Sequence, residues 1–147
     1  MICRLVICAF FSLLSVLHAA PIPSPNLSHG DYVSVKPNAA LNRTPQSSDR
    51  GHPGVVVGGP DQHNHYQVAV ISHNPPDTHH ENLHTVHPGS TLNDAANSRI
   101  GTGKPMNFHA SDVKHLDKLP SLSHTETSDL QRKIRTSLLN NVVKPLY

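Results

Sequence analysis

All 13 prolines of the chain fall after residue 20, interleaved with eight glycines and with many Ser, Thr, Asn and His residues. A chain of this kind has little apolar surface with which to offset a backbone ordering entropy of roughly 1–2 kcal/mol per residue. The expectation from composition is a mostly disordered chain with local elements only. High net charge, the usual companion of disorder, is missing: the formal charge is +2 at pH 7. A proline-rich coil of low charge is expected to be compact and not stretched.

The N-terminus reads as an export signal. Arg4 precedes an apolar run from Leu5 to Leu17, and Pro21, Pro23 and Pro25 follow at once. The run is too short to span a bilayer comfortably and has the length of a signal-peptide core. A cut after Ala20 would place Pro21 just past the scissile bond, so cleavage after Ala19 is expected, giving a signal peptide over residues 1–19. Cys3, Cys8, Phe10 and Phe11 all lie within that signal. The exported product would therefore have no thiol for a disulfide or a thiolate metal site, and Phe108 as its sole phenylalanine. No second apolar run of about 18 residues follows, so the expected location is extracellular.

Past the signal the chain divides into four parts. Residues 20–53 read as a disordered, Pro-rich arm with no sustained period of 2 or 3.6, only fragments such as Tyr32-Val33-Ser34-Val35. The arm carries two acceptor patterns for N-glycosylation, at Asn26 and Asn42. Residues 54–90 are histidine-rich and contain two β-branched pieces, Val55-Val56-Val57 and Tyr66 to Ile71, separated by a Gly-Gly-Pro-containing loop. They predict a short β-hairpin over 55–71, marginal unless a partner or third element supports it. Residues 91–122 read as a linker, with a short helical turn predicted from Asp112 to Leu119, capped by Ser111 and stopped by Pro120.

Residues 123–147 hold the clearest local signal. Ser123-His124-Thr125-Glu126 fits a capping box, and Leu130, Ile134, Leu138 and Val142 recur every four residues. One C-terminal amphipathic α-helix is predicted at about 125–143. With no evident core elsewhere, its apolar stripe is expected to serve a protein partner; a membrane surface is a less favoured destination. The basic triplet Arg132, Lys133 and Arg135 is too short, and too poor in neighbouring aromatics, for nucleic-acid binding.

Histidine is over-represented: eight of the 13 lie between His52 and His87. Imidazole is a common ligand of zinc and copper, so weak binding of such ions is expected, with His80, His84, His87 and His79 as the candidate ligands. Free imidazole titrates near pH 6.5, so an acidic exterior would make the chain strongly cationic. His80-Glu81-Asn82-Leu83-His84 spells H-E-x-x-H and resembles the zincin metalloproteases over five residues. That resemblance implies two imidazoles on one helix face holding zinc, with Glu81 deprotonating its bound water. The extended metzincin pattern wants a glycine and a further ligand where this chain has His87 and Ser90. Pro76 and Pro88 also confine any helix, and no other catalytic constellation is present, so no enzymatic activity and no required cofactor are expected.

A signal peptide followed by Ala20-Pro21-Ile22-Pro23 and a short, mostly unpatterned chain resembles the small secreted, effector-type proteins of fungi. That resemblance implies a secreted, non-enzymatic interaction protein, directed at a host and engaging its partner through the C-terminal helix. The alternative is an extracellular histidine-rich peptide that binds zinc or copper.

Overall fold

The computed structural model describes residues 25–44, 47–74 and 79–142, apart from the side chain of Val142. The signal peptide predicted at 1–19, the first residues of the predicted arm and the end of the C-terminal helix prediction lie outside these residues. The hairpin anticipated over 55–71 is there: β2 (His52–Gly58) and β3 (His65–Ser72) pair antiparallel, Val55 opposite Ala69 and Val56 opposite Val68. The pair is not alone. β1 (Tyr32–Val35) runs antiparallel to β2, with Tyr32 opposite Val55. On its other side β3 accepts two short strands in succession, β6 (Met106–His109) along His65–Val68 and β5 (Arg99–Gly101) at Ile71–Ser72. β4 (His80–Asn82) extends the sheet beyond β5, and β7 (Lys114–His115) beyond β1.

The result is a seven-stranded antiparallel sheet with one long C-terminal helix, which overturns the expectation of a mostly disordered chain. The supposed arm supplies β1, and the supposed linker supplies β5, β6 and β7. The helical turn expected at 112–119 is replaced by a 3-10 turn, Ala110–Asp112, and by β7. Val113 is buried, and the backbone of Lys114 and His115 pairs with Ser34 and Val33, so a helix there would forfeit both.

Strand alternation divides the apolar residues between two faces. Tyr32, Val55, Val57, Ala69 and Ile71 point to the first face, where they meet Leu83, Ile100, Leu122, Leu130 and Ile134. Val33, Val35, Val56, Tyr66, Val68 and Phe108 point to the second, where short turns bearing Leu27, Ala40 and Ala110 cover them. Tyr32, Tyr66 and Phe108, the aromatic residues within the described part, are exposed by 2% or less. Few aromatics therefore suffice, because each is fully buried and the remaining volume is filled by valines in paired strands. Close approach of the strands requires Gly54, where a Cβ would meet Cγ1 of Val68 at 2.5 Å.

The helix α2 (His124–Val142) begins as its sequence predicts. Ser123 Oγ accepts from the backbone N–H of Glu126 at 3.3 Å, while the Glu126 carboxylate accepts from the backbone N–H of Ser123 at 2.8 Å. The bond from the Ser123 hydroxyl is the main cause that holds the Glu126 carboxyl below its ordinary range. Replacing Ser123 with Ala is expected to cost about 1 kcal/mol in urea denaturation. Because the folded-state pKa of Glu126 is depressed, its contribution is present above the unfolded value and lost as pH falls through the folded one. The wild-type advantage over Ser123→Ala should accordingly shrink in acid.

The stripe of α2 is not left without a destination. Leu130 and Ile134 sit in the first core, and Leu138 packs against it, half-buried. Two polar contacts hold the helix in register. Gln131 donates to the carbonyl of Val57 at 2.7 Å, at the point where a bulge breaks the β2–β3 register. Lys133 forms an ion pair with Glu81 of β4.

Candidate functional site

α2 covers only part of the first face. Beside it a groove of about 430 Å³ remains, floored by Val57 and Gln67 and walled on one side by Gln131, Ile134, Arg135 and Leu138. Lys104, Pro105 and Asn107, at the entry to β6, form the opposite wall. Arg135 and Lys104 are exposed, and neither makes an ion pair among the described residues. The site thus combines apolar lining residues, Val57, Ile134 and Leu138, with these two cations. Of the four residues predicted as a partner-binding face, Ile134 and Leu138 line this groove, Leu130 is consumed by the core, and the side chain of Val142 is not described.

The 104–107 wall belongs to a segment that reads as linker. Its signal was Phe108 between two polar residues after Pro105, a strand-like alternation too short to stand out. What fixes the wall is Asn42. Its Nδ2 donates to the carbonyl of Pro105 at 2.9 Å and its Oδ1 accepts from the backbone N–H of Asn107 at 2.8 Å. The two glycosylation candidates are therefore unlike: Asn26 is exposed, whereas Asn42 is half-buried and spends both ends of its amide on the backbone. Asn42→Gln is expected to lower unfolding free energy by about 1–3 kcal/mol, through loss of those bonds, while Asn26→Gln stays within about 0.5 kcal/mol. Urea titration of the two variants checks this.

A second hollow, of about 410 Å³, lies on the other face over Val68, Val70 and Met106, with Pro37 and Asn42 at its rim. Lys104 and Pro105 line both hollows and form the ridge between them.

The histidine motif falls apart in three dimensions. His80 and Glu81 lie on β4, and Asn82 then caps a single helical turn, α1 (Leu83–Val86), by accepting from the backbone N–H of His84 at 2.8 Å. Asn is a strong N-cap, which is why the helix starts inside the motif and His80 and His84 do not share its face. Glu81 is engaged by Lys133, and Arg99 Nη1 stands 2.6 Å from Nε2 of His80. His87 is turned inward and buried. Its Nδ1 lies 3.0 Å from the Tyr32 hydroxyl, which also reaches Ser90 Oγ at 3.2 Å. Burial pushes the Tyr32 phenol up, and its hydroxyl has hydrogen-bond partners in both His87 and Ser90. This network ties the Tyr32 side of the first core to the segment after α1. Among the described residues no three His, Cys, Asp or Glu side chains already converge on one point.

No protein-family model, no curated protein and no solved structure matches this chain. Among the described residues no helix is long and apolar enough to cross a membrane.

Proposed function

We propose that this is a secreted, non-enzymatic binding protein that engages a partner through the groove beside α2. The observation that carries the reading is the pairing of apolar lining residues, Val57, Ile134 and Leu138, with the cations Lys104 and Arg135, which make no ion pair among the described residues. Apolar burial supplies affinity in such a groove, and the charges select and orient the ligand. The partner is then a protein segment that presents a bulky apolar side chain flanked by carboxylates. The helix keeps the role that its amphipathic pattern suggests, but through its flank and not through Leu130. Export rests on the signal-like residues 1–19, and the exposed Asn26 is the acceptor that a glycan can occupy without breaking a backbone contact.

A displayed library of random peptides tests the reading. Enriched peptides are expected to combine acidic residues with Leu, Ile or Phe, and to shift the amide resonances of Val57, Gln67, Arg135 and Leu138. Reversing both charges, Lys104→Glu with Arg135→Glu, should weaken them by about tenfold or more with the fold intact. Enrichment without acidic residues, or affinity untouched by the charge reversal, sinks the proposal.

A further inference from the structure

The hollow on the second face owes its existence to the register of the sheet. Along β3 the side chains of Val68, Val70 and Ser72 point to that face. Val68 is fully buried between Val56 and Met106, its partners in the two neighbouring strands. Val70 has glycines in those places. Gly54 of β2 lies directly opposite it, and Gly101, the residue after Ile100 of the Ile71–Ile100 pair, stands on its other side. Neither neighbour brings a side chain, so Val70 is only half-buried although it sits in a central strand. Among the described residues, a Cβ on Gly101 would meet within 4 Å only the carbonyl oxygen of Val70, at 3.6 Å. The hollow of about 410 Å³ is thus a gap in the pattern of side chains, floored by Val70 and bordered by Val68, Met106 and Pro37.

One end of the hollow is rich in hydrogen-bond donors. Two residues beyond the Gly54–Val70 pair, the same face carries His52 of β2 and Ser72 of β3, and Ser48, from the loop before β2, lines the hollow too. Ser72 Oγ accepts from the backbone N–H of Asn74 at 3.3 Å, and Ser48 Oγ from that of Arg50 at 3.1 Å. Each hydroxyl thereby keeps its own hydrogen for a further acceptor. The half-buried His52 ring has no hydrogen-bond partner among the described residues and offers an N–H in either tautomer. Lys104 adds a positive charge from the ridge, and the described lining contains no Asp or Glu. Donors and a cation without a carboxylate of their own suit an oxyanion. Residues two apart in a strand are roughly 7 Å apart, so the Met106 row lies roughly 13 Å from the His52 row. That length and volume accommodate a small organic molecule between an apolar and a polar end.

We propose that this hollow binds a small organic carboxylate with a compact apolar body, the body over Val70 and Met106 and the carboxylate among Ser48, Ser72 and His52. The site is separate from the groove beside α2. Their linings have Lys104 and Pro105 in common, and the variants below alter neither.

Calorimetry and amide spectra of the purified protein decide the matter, with 4-phenylbutyrate and octanoate as probes, each beside its alcohol, 4-phenylbutanol or octanol. At least one acid is expected to bind with a submillimolar dissociation constant, about fivefold or more tighter than its alcohol. The amides of Val70, Gly101 and Met106 should shift. Gly101→Leu places a side chain in the hollow and should weaken binding by about tenfold or more, with an unchanged urea midpoint as evidence that the fold persists. Ser48→Ala/Ser72→Ala removes two donors at half-buried positions, and should weaken the acid several-fold while leaving the alcohol as it was. Should Gly101→Leu disturb the fold, the serine pair carries the decision. The proposal is overturned if both acids bind no tighter than millimolar, if the alcohols bind as tightly as the acids, or if the serine pair leaves the acid's affinity unmoved. Shifts confined to Val57, Gln67 and Leu138 would place the acid in the groove and overturn it as well.

Discussion

Leu130→Ser is expected to unfold the protein and not merely to disarm a docking helix. The side chain is fully buried between α2 and the sheet, in contact with a core that includes Val55, Ile71 and Leu83. Truncating such a leucine costs about 2–5 kcal/mol, and placing an unpartnered hydroxyl in the cavity adds to that. Domains of ordinary stability hold about 5–15 kcal/mol in total, so the loss takes a large fraction of it. Circular dichroism and urea titration should show a much lower midpoint, with helix and sheet signals lost together. Leu139→Ser is the control: that side chain is 65% exposed, and its replacement should leave the midpoint unchanged. A Leu130→Ser variant as stable as the parent would mean that α2 does not pack on the sheet. Binding by the groove is better tested at Leu138 and Arg135, which line it without closing the core.

Phe108→Ala is expected to be about as severe, at roughly 3–5 kcal/mol, although among the described residues no long helix covers its face of the sheet. Phe108 lies opposite Tyr66 across the β3–β6 pair and is fully buried. Its neighbours Leu27, Ala40 and Ala110 come from turns, and the Tyr66 hydroxyl fastens the chain at Pro25 with a 2.7 Å bond to its carbonyl. Turns held by so few apolar residues cannot collapse into the space of a lost ring, so a cavity should persist. A modest loss, below about 1 kcal/mol, would show that the second face is loosely packed and that the first core carries the fold alone. The same variant moves the wall at Asn107 and should blunt peptide binding in the groove.

Parts of this architecture are legible in the residues themselves. The capping box at Ser123 and Glu126 marks the start of α2 because it is a local exchange of hydrogen bonds. The β-branched runs at Val55–Val57 and Tyr66–Ile71 pair as a hairpin for the same reason, strand propensity flanking a glycine-rich loop. The remaining strands are two to four residues long, shorter than any periodicity can announce. Each gains its stability from a neighbour far away in sequence, as Lys114 and His115 do from Ser34 and Val33.

What the sequence by itself determined is local: where the helix begins, which residues alternate along the two central strands, and that imidazole is abundant. Only the tertiary structure decided where the apolar stripe of α2 goes, because burial of Leu130 depends on a sheet assembled from segments that carry no strong signal of their own. It likewise decided which histidines meet. Asn82 ends the strand inside the H-E-x-x-H motif and separates its imidazoles, whereas strand register brings together His65 and His109, 44 positions apart in the numbering. Spacing along the chain governs contacts only within one helix or one turn, and beyond that the pairing of strands takes over.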